Sequence, residues 1–328
     1  MSTQSVRGNG GGVRQGATPG GTKHPITPNT TARPARSRRR ADGLAAFGFL
    51  APSGIGFLLF VLAPTIGVVI LSLFNWNLIS SGTFVGFANF VQLFQDPHVL
   101  AVYAATAYMA FFILAINIVV GLLLAVLLET RMPRWLRAFF RLSFLFPFVV
   151  SSSAVALIWR FLLDNDFGLV NYWLSFLGVP HIDWLGTTQW APISVIIVNS
   201  WKTLGFSILI YVAGLQGIPN EIREAAIVDG ANAWRRFWSV TLPMLSPTVF
   251  FLIVINTITA FQVFAEPRVL TQGGPGDSSR TIVEYIYDTA FGGLQIGYAS
   301  AIGLTLVVLL IILTAIQFRI SRRWTFYQ

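Results

Sequence analysis

Residues 104–128 read AATAYMAFFILAINIVVGLLLAVLL, an uncharged run in which only Thr106, Tyr108 and Asn117 can hydrogen bond through a side chain. A bilayer core about 30 Å thick is crossed by about 20 apolar residues in helical form, so this run is long enough to span one. It also lacks the alternation of polarity that marks a strand of a membrane barrel. Similar runs recur near Ala46–Phe74, Ala138–Leu162, Ala191–Leu215, Met244–Leu270 and Gly297–Phe318. The expected fold is therefore all-α: a polytopic membrane protein with six transmembrane helices. Composition agrees, since 54% of the 328 residues are hydrophobic and 11% charged, against about 25% charged in an average soluble domain.

The basic residues set the expected orientation, because loops rich in Lys and Arg stay on the cytoplasmic side. Residues 1–43 carry Arg7, Arg14, Lys23, Arg33, Arg36 and Arg38 to Arg40, with neither Trp nor Phe. Such a segment has too little apolar surface to offset its ordering entropy, which predicts a disordered basic tail followed by a transmembrane domain at 44–328. The loop after the second span adds Arg131, Arg134, Arg137 and Arg141, and the loop after the fourth adds Arg223, Arg235 and Arg236. Arg319, Arg322 and Arg323 follow the last span, whereas the alternate loops hold only Arg160, Arg268 and Arg280 among acids that include Asp96, Asp277, Glu266, Glu284 and Asp288. Both termini are expected in the cytoplasm. The net charge of +9 then reflects topology and proximity to anionic lipid, and no nucleic-acid partner is expected.

Several chemistries lack their residues. Cysteine is absent, and His24, His98 and His181 stand far apart, so neither a thiolate nor a histidine metal site is expected. The stretch Gly16 to Lys23 is a poor phosphate-binding loop, lying in the tail with no apolar strand before it. No serine sits in a G-x-S-x-G elbow. The spans also lack the interior carboxylates of a proton-coupled carrier, Lys202 being their one clear charge. The chain is not expected to be an enzyme, and its energy source belongs on another subunit.

The long cytoplasmic loop 217–243 reads GIPNEIREAAIVDGANAWRRFWSVTLP. Pro219 suits a first helical turn, Glu221 and Glu224 favour its positive end, and Gly230 supplies a left-handed stop. A second short helix presents Trp234, Phe237 and Trp238 on one side, as an interfacial helix does.

Here the sequence resembles a known family. Glu224, Ala225 and Ala226, then Asp229, Gly230 and Ala231, then Phe237, Leu242, Pro243 and Pro247 are similar to the EAA motif of permeases from binding-protein-dependent ABC transporters. Residues 49–52, 60–64, 84–90, 270–276 and 285–291 extend the resemblance to the carbohydrate and glycerol-phosphate uptake group, the maltose-importer type. It implies a coupling helix bearing Glu221, Glu224, Ala225, Ala226, Asp229, Gly230 and Ala231 that docks on a cytoplasmic ATPase. It further implies a second homologous permease subunit, two ATP-binding subunits, an extracytoplasmic solute-binding protein, and a place in a bacterial or archaeal inner membrane. ATP and Mg would sit on the partner ATPase, with no cofactor in this chain. The solute would be a sugar or a glycerol phosphate. A polytopic assembly or signalling subunit using the loop as a plain docking site is the alternative.

Polar residues at membrane depth are candidates for the substrate pathway: Asn199, Trp201 and Lys202 in the fourth span, and Asn256, Thr259 and Gln262 in the fifth. The last three, each three apart, can form one stripe of a helix. Interhelical hydrogen bonding is the competing use of such groups. Lys202 either meets an anionic solute or is held structurally. The loop at 160–190 is expected outside, touching the binding protein, with Trp173 and Trp184 exposed.

Overall fold

The computed structural model describes residues 48–322, apart from 78, 80 and 131. The tail at 1–43, with Arg131 and Arg323, lies outside the described residues. The chain divides into two compact units at Phe60. In the first, the described part is the apolar helical stretch 48–60; the second holds everything that follows.

The elements are helices almost throughout. In chain order they are α1 (Gly48–Leu71), a two-residue hairpin of β1 (Phe74–Asn75) and β2 (Thr83–Phe84), then α2 (Ala88–Gln95), α3 (Pro97–Leu128), α4 (Arg134–Val149), α5 (Ser152–Leu162) and α6 (Leu169–Ser175). After these come α7 (Trp190–Gln216), α8 (Asn220–Val228), α9 (Ala233–Arg236), α10 (Leu242–Met244), α11 (Ser246–Phe261), α12 (Ala265–Leu270), α13 (Ile282–Tyr287) and α14 (Ile296–Ser321). Among the described residues, five stretches are long and apolar enough to cross a membrane: α1, α3, α7, residues 246–270 and α14.

The third expected span is different. Residues 134–162 form two helices, α4 and α5, bent through 101°. Pro147 removes one backbone donor from the end of α4, and Val150 and Ser151 are extended at ψ 146° and 132°. Run length predicts enough apolar residues to cross but is blind to such a break. The second span begins earlier than its apolar core, at Pro97, because the Asp96 carboxylate caps the helix by accepting from the His98 N–H at 2.9 Å.

Three clusters form the interior of the second unit. Met109, Ile113, Val155, Val195 and Ala260 join α3, α5, α7 and α11. Ala125, Ile208, Tyr211, Leu245 and Leu252 join α3, α7 and α11. Leu93, Val102, Ile282 and Ile302 join α2, α3, α13 and α14. Elsewhere large apolar side chains such as Phe111, Phe146, Leu157 and Ile311 stay exposed. So much uncovered apolar surface is unfavourable in water and is what hydrocarbon accepts.

Candidate functional site: a two-helix knob, polar groups within the spans and an ionic collar

The loop at 217–243 folds as its residues suggest. Pro219 stands immediately before α8, and Glu221 occupies its first turn. The helix ends in a Schellman arrangement: the Ala231 N–H donates to the Ala226 carbonyl and the Gly230 N–H to the Ile227 carbonyl, both at 3.0 Å. Gly230 has φ +75°, which glycine adopts at little cost. Asn232 then caps α9 by accepting from the Arg235 N–H at 2.8 Å. Glu221, Glu224, Ala225, Asp229 and Gly230 are exposed, and Ala226 and Ala231 half-buried. Trp234 and Trp238 are exposed and lie edge to face at 5.6 Å. The result is a two-helix knob with its acidic and small residues uncovered.

At membrane depth the candidate pathway residues separate into inward and open groups. Asn256 is buried, donating to the Leu252 carbonyl at 2.9 Å and to Ser207 Oγ at 3.3 Å. Asn199 is also buried, its carbonyl accepting from Thr203 Oγ1 at 2.8 Å. Thr259 and Gln262 are exposed, and Gln262 lies just past the end of α11, so Asn256, Thr259 and Gln262 do not share one helical stripe. Trp201 is 44% exposed and meets Trp159 edge to face at 5.6 Å. Lys202 is half-buried, its Nζ 5.9 Å from the centre of the Phe148 ring. Among the described residues it forms no ion pair. The open group Trp201, Lys202, Thr259 and Gln262 thus offers one cation, two neutral hydrogen-bonding groups and an aromatic face.

Residues 268–288, from the end of α12 through α13, build an ionic collar. Arg268 Nη1 lies 2.8 Å from Asp288 and 3.6 Å from Glu284, and Arg280 lies 2.6 Å from Asp277 and 4.0 Å from Asp288. His98 Nδ1 is 3.6 Å from Asp277. Glu284 is fully buried, and among the described residues neither carboxylate oxygen has a hydrogen-bond partner. Burial pushes its carboxyl up to about 7, with Arg280 and Arg268 pulling the other way and Asp288 adding to the rise. Sequence reading places Glu284 in an outer loop and carries no signal for its burial.

The titration has a testable sign. Below about 4.5 the carboxyl is neutral whether the chain is folded or not. Between there and about 7 the folded chain keeps a proton that the unfolded chain has lost, so stability falls as pH rises and then levels off. The whole change is about 3 kcal/mol. Glu284→Gln is expected to match the unsubstituted protein in thermal unfolding near pH 4.5 and to exceed it near pH 7.5. Parallel pH profiles for the two proteins contradict the assignment.

The loop at 160–190 corrects one expectation. Trp173 is 66% exposed, but Trp184 is 8% exposed, packed on Trp190 at 5.0 Å with its Nε1–H donating to Asn171 Oδ1 at 3.0 Å. A tryptophan in a loop reads as exposed from sequence alone, and this one is drawn in by a polar partner thirteen residues away.

Comparison with known proteins places this architecture. Residues 117–326 match the family model described as binding-protein-dependent transport system inner membrane component. The chain is 35% identical over 287 residues to the sulfoquinovosyl glycerol transport system permease protein SmoG of Agrobacterium fabrum, covering 86% of this chain and 91% of that one. It is 36% identical over 249 residues to the sn-glycerol-3-phosphate transport system permease protein UgpA of Yersinia pestis, covering 76% and 83%. Among solved structures, a bacterial alginate ABC transporter in complex with an alginate pentasaccharide-bound periplasmic protein aligns with TM-score 0.77 and 27% identity, over 88% of this chain and 97% of that one.

Proposed function

The chain belongs to the binding-protein-dependent transport system inner membrane component family, and from that premise we propose that it is one of two permeases in an importer that takes up a sugar or glycerol-phosphate-type solute. It is a permease subunit of a binding-protein-dependent ABC importer, a transport component and not an enzyme. In our reading two cytoplasmic ATPases, carrying ATP and Mg, clasp the α8–α9 knobs of this chain and its homologous partner. A solute-binding protein docks outside, and both termini face the cytoplasm. The observation that carries this reading is the exposed knob, whose Glu224 and Ala225 stand uncovered beside a half-buried Ala226 where another protein can push them.

The solute follows the groups at membrane depth. Trp201 supplies an aromatic face for a sugar ring, Thr259 and Gln262 supply hydrogen bonds, and Lys202 supplies a cation for a phosphate or sulfonate. SmoG and UgpA, named for a sulfoquinovosyl glycerol and a glycerol phosphate, favour this assignment of Lys202. Asn256, bonded to Ser207, ties α11 to α7, and Asn199 is buried within α7.

The test is reconstitution of the full assembly in liposomes after screening its binding protein against glycerol phosphates, sulfonated glycosides and neutral oligosaccharides. Uptake is expected to need ATP, the loaded binding protein and the ATPase together. Orientation is read from single cysteines in this cysteine-free chain. One at Leu177, 78% exposed, should react with an impermeant maleimide from outside, and one at Val228, 86% exposed, from the cytoplasmic side. Purification of a stable chain free of any nucleotide-binding subunit, or the reverse labelling, overturns the reading.

A further inference from the structure

The contacts at the cytoplasmic ends of α3, α4 and α7 lead from the knob into the membrane. Arg223, on α8, donates from Nη2 to the carbonyl of Leu215 in the last turn of α7. The next residue, Gln216, donates from Nε2 to Glu129 Oε1 at 3.1 Å. The same oxygen accepts from Arg141 Nη2 on α4 at 2.8 Å. Arg137, one turn earlier on α4, donates to the Thr130 carbonyl at 3.1 Å. Glu129 stands directly after α3, so its carboxylate is where α3, α4 and the α7 end tied to the knob meet.

Two features suit this junction to motion. A crevice of about 360 Å³ separates α8 from the ends of α3 and α7, lined in part by Glu129, Thr130, Arg223, Ala226 and Phe237. Arg137 Nε and Arg141 Nε are buried without hydrogen-bond partners, so the guanidinium groups have donors left over for another pairing. At its far end, α4 carries Phe148, stacked on Phe206 at 5.2 Å and facing Lys202. A shift of α4 is therefore felt beside the open polar group.

We propose that Glu129 is a positioning residue that links the coupling helix to α4, so that a push on α8 moves the helix bearing Phe148. A carboxylate is required because one acceptor oxygen serves a guanidinium and an amide together, and a charged acceptor holds both more strongly than a neutral one. The inference rests on the coupling function proposed above, and the experiment separates the two.

Bimane is attached to a single cysteine at Val228 on α8, or at Leu142 on α4, which is 68% exposed. The complete importer carrying either label, with its binding protein loaded by the ligand found in the screen above, is trapped with ATP and vanadate. Both sites are expected to change emission in the unsubstituted background. Glu129→Ala should keep the response at 228 and lower that at 142 at least about fivefold. Glu129→Arg alone and Arg141→Glu alone should do the same, while the two together, which restore the pair with its charges exchanged, should recover at least half. A merely structural staple would not separate the two sites. An unchanged response at 142 in Glu129→Ala, or a double variant no better than either single one, overturns the role of Glu129. Silence at 228 in the unsubstituted assembly overturns the coupling reading itself.

Discussion

Gly230→Pro and Gly230→Val are expected to abolish ATP-driven uptake, at least about tenfold, in chains that still insert normally. The argument lies in the backbone. Nothing stands within 4 Å of where a Cβ would sit, so the cost is conformational and not a clash with a neighbour. At φ +75° an L-residue meets its own carbonyl, at about 1–2 kcal/mol, and a β-branched one fares worse. Proline cannot reach this φ, and it also removes the N–H that donates to Ile227. The Schellman closure then opens, and α8 loses the stop that aims α9 away from it. Asparagine visits the left-handed region more readily, so the expected order of retained uptake is Gly, Asn, Ala, Val, Pro. Uptake and binding-protein-stimulated ATP hydrolysis, measured in the same vesicles, check it. Wild-type rates in Gly230→Val with normal ATPase response mean that the elbow carries no coupling.

That turn was legible because it is local: a proline, two acids, a small-residue helix and a glycine within a dozen positions fix their own geometry. The spans were legible for a similar reason, since run length alone decides whether a helix can cross hydrocarbon. What escaped depends on partners distant in sequence. The break at Val150 and Ser151 is hidden from run length because Pro147 and Ser151 to Ser153 sit inside a stretch that is otherwise apolar and uncharged. The burial of Trp184 depends on Asn171, and that of Glu284 on α3 folding against α13, where Thr106 Oγ1 accepts from the Ile282 N–H at 2.9 Å. In the fifth span a three-residue spacing predicted one polar stripe. The turn ends at Phe261, so Gln262 leaves it, and Asn256 turns inward to Ser207. Spacing says which residues share a face only while the helix continues.

The largest structural effect is expected at Gly205, where α4 crosses α7 backbone to backbone. A Cβ at this position would lie 1.9 Å from the Phe144 carbonyl oxygen and 2.6 Å from its carbon, atoms that no side-chain rotation can move. Helices in lipid gain their association from such close approaches, because apolar burial drives little there. Alanine is the better helix former by about 1 kcal/mol, so local propensity predicts a gain. The contact predicts the reverse, since α4 must retreat by more than an ångström to restore ordinary separation. Retreat would pull Phe148 from Phe206, now stacked at 5.2 Å, and draw Arg141 off Glu129. Overpacking of this kind costs about 1–3 kcal/mol and more where backbone must move. Gly303→Ala is the matched control: it also lies inside a helix, and the nearest atom to its added methyl is Ile286 Cδ1 at 4.0 Å. Gly205→Ala should lower both the thermal midpoint and the yield of folded protein, while Gly303→Ala leaves them unchanged or slightly raised. Equal behaviour of the two variants would mean that α4 and α7 do not meet at Gly205.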